Sequence, residues 1–265
     1  MYAFDYHKPS SVQEAASLLA SKEDATLVAG GQTLIPTLKH RLAQPSDVVD
    51  LSGIAELKGI RLDGDTLVIG AMTTHAAVAS DATVRSAVPA LADLADGIGD
   101  AQVRNCGTIG GSVSNNDPAA DYPAALLALG ATVVTTNRSI SSDDFFTGMF
   151  DTALEAGEIV TEIRIPKPTR AAYAKFPNPA SRYAIVGVMV AEGGSGVRVA
   201  VTGAGQDGVF RATDIEQALA GSFSADAAKA VSVSPDNLSA DIHASSEYRA
   251  HLVSVMASRA VAACS

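Results

Sequence analysis

Pro166-Lys167-Pro168-Thr169 divides this chain more decisively than any other stretch. Two prolines in four residues remove backbone donors and fix φ, so no helix or central strand runs through them. On the N-terminal side, short apolar runs alternate with helix-like stretches. On the C-terminal side, β-like runs come first and helices follow. That order predicts two domains, spanning 1–166 and 170–265, the second of them α+β. The 265 residues can hold two to three separate cores.

In the first part, Ser11 and Glu14 form a capping-box pattern ahead of a helix whose buried face carries Ala15, Ala16, Leu18 and Leu19. Residues 25–29 read as a buried strand stopped by Gly30-Gly31. Residues 34–42 read as a helix with Lys39, His40 and Arg41 at its C-terminal end, where positive charge is favoured. Residues 48–51 form another strand. Asp63-Gly64-Asp65 is a hairpin signal between 57–62 and 66–69. Helices are predicted at 74–79, 84–95 and 124–129, with strands at 132–136 and 159–165. Beyond the prolines, 171–176, 183–191 and 197–202 predict a three-stranded antiparallel sheet, with Gly193-Gly194-Ser195-Gly196 as its last turn. Helices near 212–219, 225–231 and 246–262 complete the domain.

Residues 97–121 lack periodicity and read as a long functional loop. Within it, Arg104-Asn105-Cys106-Gly107-Thr108-Ile109-Gly110-Gly111-Ser112 packs three glycines among hydroxyl and amide side chains, with no lysine in the glycine run. Such a loop can close backbone N–H groups around a phosphate and leave side chains for a cofactor's polar parts. Gly30-Gly31-Gln32-Thr33 offers a second loop, although for an isolated glycine pair a plain strand-to-helix turn is the favoured reading. Together the two suggest a long cofactor gripped from two sides, a flavin. Asp50, about twenty residues past Gly30, invites a dinucleotide fold, but the GxGxxG spacing is absent. Asp121 would repel phosphate; it suits ribityl or ribose hydroxyls, or caps the helix that follows. Lys175 is either an exposed strand lysine or a cation near the flavin. His75 either faces a ring system or simply begins a helix. Cys106 is expected to be a buried, inert thiol.

The net charge of −10 argues against nucleic acid or an anionic membrane as partner, leaving any pyrophosphate to backbone dipoles. Two cysteines, without a CxxC, provide no disulfide framework and cannot hold an iron–sulfur cluster, which takes about four thiolates. The histidines have no metal-ligand spacing. No apolar run reaches ~18 residues and no signal-peptide pattern opens the sequence, so a cytoplasmic protein without membrane insertion is expected.

Taken in order, several motifs resemble the FAD-binding medium subunit of molybdenum hydroxylases, the family of the aerobic carbon monoxide dehydrogenase flavoprotein and the xanthine dehydrogenase FAD domain. They are Phe4-x-Tyr6-x-x-Pro9, residues 29–36, residues 69–75, and residues 103–112 followed by 117–121. Phe145-Phe146-x-Gly148, Gly157-Glu158-Ile159-Val160, Ile165-Pro166 and residues 183–186 continue the series. The resemblance implies a two-lobed FAD-binding fold of the vanillyl-alcohol-oxidase/cresol-methylhydroxylase (PCMH) type, with lobes of about 1–55 and 56–166, followed by an α+β C-terminal domain. It implies FAD contacts from Ala29, Gly30, Gly31, Gln32, Thr33, Leu34, Ile35, Ile98, Gly107, Thr108, Gly110, Gly111, Ser112, Asn115, Asp121, Ile159, Val160 and Lys175, with no catalytic residue. Gln32-Thr33 stands where His-Ser is frequent, and Cys106 where a basic or small residue is common. The implied role is electron transfer. Electrons arrive from [2Fe–2S] clusters on a small subunit, after chemistry at molybdopterin on a large one, and leave to an external acceptor from a dimer of heterotrimers. A stand-alone FAD oxidoreductase and a cofactor-free interaction subunit are the alternatives.

Overall fold

The computed structural model describes residues 1–264. The chain begins with β1 (Asp5–His7), α1 (Val12–Ser21), β2 (Ala25–Val28), α2 (Leu34–Lys39) and β3 (Asp47–Asp50). Its sheet is parallel, in the order β1-β3-β2. Ser11 caps α1 by accepting from the Glu14 N–H at 3.2 Å, whereas the Glu14 carboxylate accepts from the Ser10 N–H at 2.8 Å, not from Ser11 as a full capping box would. Helix α2 stops short of residue 42 because the backbone turns left-handed at Arg41, φ 59°. Val12, Ala15, Val49, Leu51 and Ile54 form the apolar core under this sheet.

The next segment opens with the hairpin of β4 (Ile60–Asp63) and β5 (Thr66–Gly70). There follow α3 (His75–Ser80), α4 (Ala82–Ala87), α5 (Pro89–Asp96), α6 (Ala101–Cys106), α7 (Ile109–Asn115) and α8 (Tyr122–Leu129). Strands β6 (Thr132–Thr135) and β7 (Ser139–Ser141), the turn α9 (Ser142–Phe145), the pair β8 (Phe146–Gly148) and β9 (Asp151–Thr152), and β10 (Val160–Pro166) complete it. The main sheet is antiparallel, in the order β4-β5-β10-β6-β7. Two expectations change. The helix read at 84–95 is two helices, with Pro89 starting the second. Residues 97–121 are not one loop, since α6 and α7 lie within them, capped by Asp100 and Thr108. Six- and seven-residue helices are too short to show a period in sequence.

Glu158 locks the end of this sheet. Its buried carboxylate accepts from Arg138 Nε at 3.1 Å, from Thr135 Oγ1 at 2.6 Å and from the Glu155 N–H at 2.8 Å. Arg138 leads these donors in holding the Glu158 carboxyl down to about 2, despite burial. A carboxyl held below its unfolded value adds stability above about pH 4.5, lost as pH falls toward about 2. Glu158→Gln is therefore expected to lower stability by about 2 kcal/mol at neutral pH and to flatten the acid limb of the stability curve. Urea unfolding from pH 7 to pH 3 checks both; an unchanged acid limb would contradict this assignment.

The C-terminal domain contains β11 (Arg170–Pro177), β12 (Ala184–Gly193), β13 (Gly196–Thr202), β14 (Phe210–Arg211), α10 (Thr213–Gly221), α11 (Ala225–Ala230) and α12 (Ser246–Ala263). Its antiparallel sheet has four strands, not the expected three. Strand β14 pairs only Phe210 and Arg211 with β13, too few residues for a visible alternation. One face of the sheet packs on the C-terminal helices and the other on α5 and α8, so β12 is buried on both sides. That explains its near-continuous apolar run, a pattern more usual in parallel sheets. Arg249, 3% exposed, ties α12 to this sheet by donating to the carbonyls of Ile185 and Gly203 at 2.6 Å each. Among the described residues no helix is long and apolar enough to cross a membrane.

Candidate cofactor site

The two glycine segments meet. A Cβ on Gly30 would lie 2.0 Å from the Cys106 carbonyl oxygen and 2.7 Å from the Gly107 Cα, and one on Gly111 would lie 3.3 Å from the Ala29 Cβ. Only hydrogens separate these backbones, so the loop after β2 is pressed onto the entry to α7. Gly31 turns left-handed, φ 70°, and Ile35 packs beneath it. Leu34 and Ile35 sit against the core of Val28, Leu38 and Val48.

The two segments differ in the donors they leave open. Among the described residues, no hydrogen bond uses the backbone N–H of Gly30, Gly31, Gln32 or Thr33. In the second segment most donors are taken, that of Thr108 excepted. Gly107 N–H binds Val103 O at 2.7 Å, Ile109 N–H binds Thr73 O at 3.1 Å and Gly110 N–H binds Ala71 O at 2.8 Å. Gly111 N–H binds Thr108 Oγ1 at 3.1 Å. Gly110 is there for packing: a Cβ would lie 2.6 Å from the Ala71 Cβ. What α7 leaves unpaired is side chain. The side chains of Ser112 and Asn115, three residues apart and so on one helix face, make no hydrogen bond among the described residues, and both residues are half-buried.

Asp121 and Lys175 are brought together across the two domains. Lys175 Nζ donates to Asp121 Oδ2 at 2.9 Å and to Gly97 O at 3.2 Å, and the Tyr173 hydroxyl donates to Asp121 Oδ1. Burial pushes the Asp121 carboxyl upward, against the pull of Lys175 and Tyr173. Asp121 takes the cap position of α8 but makes no capping bond with its side chain, because these partners occupy it. Tyr173 was not singled out in sequence, yet it lies two residues from Lys175 on one strand and hence on the same face. Space for its hydroxyl comes from Gly187, where a Cβ would lie 2.1 Å away. The turn after α5 is held likewise: Arg104 donates to the carbonyls of Ile98 and Gly99, and Arg182 to Gly99.

Ile98 packs half-buried against the core that contains Leu91 and Leu126. Ile159, 1% exposed, lies in the core against which Ala29 packs, and Val160 lies in the same core as Leu91. Cys106 is exposed rather than buried, because it ends a short helix whose residues reach no core. No group of three or more His, Cys, Asp or Glu side chains among the described residues is arranged to hold a metal.

A run of open N–H donors, a close backbone approach that admits only glycine, and unpaired hydroxyl and amide groups on α7 suit a phosphate-bearing cofactor on a chain of net charge −10. Fold and site together define a protein of the nucleotide-cofactor-binding α+β class. The comparisons refine this. The family described as the FAD binding domain in molybdopterin dehydrogenase matches residues 2–168, and that described as the CO dehydrogenase flavoprotein C-terminal domain matches residues 171–264. The nicotine 6-hydroxylase medium subunit of Paenarthrobacter nicotinovorans is 37% identical over 98% of this chain and 96% of its own length. The carbon monoxide dehydrogenase medium chain of Hydrogenophaga pseudoflava is 36% identical over 97% and 96%. Quinoline 2-oxidoreductase from Pseudomonas putida 86 superposes with a TM-score of 0.89 at 32% identity, covering 99% of this chain and 96% of that one. The chain belongs to the FAD-binding medium subunits of molybdopterin dehydrogenases, and is the flavoprotein subunit of a carbon monoxide dehydrogenase-like oxidoreductase.

Proposed function

We propose that this chain is the electron relay of a heteromeric molybdenum hydroxylase. It would accept electrons from [2Fe–2S] clusters on a small partner subunit and pass them to an external acceptor, while substrate reacts at molybdopterin on a large one. The observation that carries the reading is the open donor run at residues 30–33 pressed against the Cys106–Gly107 backbone. Two cysteines are too few for a cluster, which takes about four thiolates, so the reading places the electron donor outside these residues. The reading includes a PCMH-type arrangement of lobes at about 1–55 and 56–166, a C-terminal domain from 170, and assembly as a dimer of heterotrimers.

FAD, when bound, supplies a centre that takes up and gives out electrons singly or in pairs. The chain's part is to hold it. The N–H groups of Gly30, Gly31, Gln32 and Thr33 would meet the pyrophosphate, where neutral dipoles suffice and cost little desolvation. Ser112 and Asn115 would serve its hydroxyls, and Asp121, with lone pairs beyond the two in use, can accept another. Lys175 would contribute positive potential from a position fixed by Asp121 and Gly97. Ile98, Ile159 and Val160 would back the ring systems from the cores they occupy.

Purification from the native host tests the reading. A yellow complex that releases FAD and contains an iron–sulfur chain and a molybdopterin chain is the expected result. A lone chain that oxidises substrate unaided would overturn it.

A further inference from the structure

Of the five histidines only His75 is buried. Its backbone N–H donates to Gly107 O at 3.0 Å, beside the Thr73–Ile109 and Ala71–Gly110 bonds, so residues 71–75 pair antiparallel with 107–110. The imidazole lies directly under Gly107, where a Cβ would sit 2.5 Å from Nε2. Gly30 abuts the same residue, with 2.7 Å from its would-be Cβ to the Gly107 Cα. Ring, Gly107 and Gly30 therefore form one continuous stack from α3 to the donor loop.

The surroundings of the ring suit only its neutral form. His75 Nδ1 and the Tyr122 hydroxyl are both buried without a hydrogen-bond partner, and the two rings pack at 5.3 Å. The charged group acting on the imidazole is Arg104 of α6. From α4 and α5, Arg85, Asp93 and Asp96 are exposed, and Asp81 uses its carboxylate to cap α4. An imidazolium would thus gain a second N–H with no acceptor and face a guanidinium. Burial, with Arg104 second, holds the His75 pKa down to about 4.

We propose that His75 is a positioning residue for FAD: its neutral ring props Gly107 against Gly30, and protonation withdraws the prop and opens the two loops. The proposal rests on the FAD reading above. If the ring titrates near its ordinary value of 6.5 with the loops apart and at about 4 with them closed, one proton is taken up as FAD leaves. FAD affinity then falls about tenfold per pH unit across that window.

FAD titrations of the full chain from pH 8 to pH 4.5, followed by quenching of flavin fluorescence and by far-UV circular dichroism, test this. The wild type is expected to show a single-proton slope with its dichroism intact. His75→Gln, or His75→Asn if the glutamine variant does not fold, is expected to bind FAD at pH 8 and to lose that slope. Tyr122→Phe is expected to keep it. An equal slope in wild type and both histidine variants, or loss of dichroism over the same window, overturns the proposal alone. No FAD binding by the wild type at pH 8 overturns the FAD reading instead.

Discussion

Alanine at position 30 is expected to strip FAD from the purified chain. The new Cβ would fall 2.0 Å from a backbone carbonyl oxygen, and both partners are main chain, so no side-chain rotation relieves the clash. Overpacking of this kind costs about 1–3 kcal/mol. If separation of the loops absorbs the overlap, binding weakens about ten- to hundredfold. Flavin absorbance per mole of purified Gly30→Ala chain measures it, with circular dichroism showing that the fold persists. Gly110→Val is the contrasting variant. Its side chain would collide with Ala71 in the core, so loss of thermal stability should accompany any loss of flavin. Full flavin content in Gly30→Ala would mean that the two loops do not form the cradle.

The second large effect is at the seam between the domains. Asp121→Asn keeps the shape but leaves the Lys175 ammonium, 11% exposed, without its counter-charge. Breaking a buried pair from one side costs about 3–5 kcal/mol, whereas replacing both partners by neutral groups costs far less. A fall in Tm of roughly 6–15 °C is expected for Asp121→Asn, scaled from proteins of about this size. The double variant Asp121→Asn/Lys175→Met is expected to recover most of it. Calorimetry of the three proteins makes the test; a double variant as unstable as Asp121→Asn would show that the pair is not coupled.

Most elements were legible because their signals are local. The hairpin at Gly64 was read from its turn residues, and the strand before Gly30 from an apolar run ended by glycine. Helix α12 declares itself by length. What the sequence hid was short or non-local. Strand β14 has two residues, and α6 and α7 have too few turns for a period. Tyr173 became visible only when the fold placed Asp121 opposite its strand.

The site shows the same division. Glycine density, the missing lysine and two cysteines point from sequence alone to a phosphate-bearing cofactor and away from a cluster held by these residues. Which glycines donate and which only make room could not be read there, since every glycine looks alike in a string of letters. That depends on whether a carbonyl lies opposite. Ala71, Thr73 and Val103 supply carbonyls to the second segment and occupy the N–H groups of Gly110, Ile109 and Gly107, while none reaches Gly30 through Thr33. Residue types determined what could be bound; the pairing of distant backbones decided which loop is free to bind it.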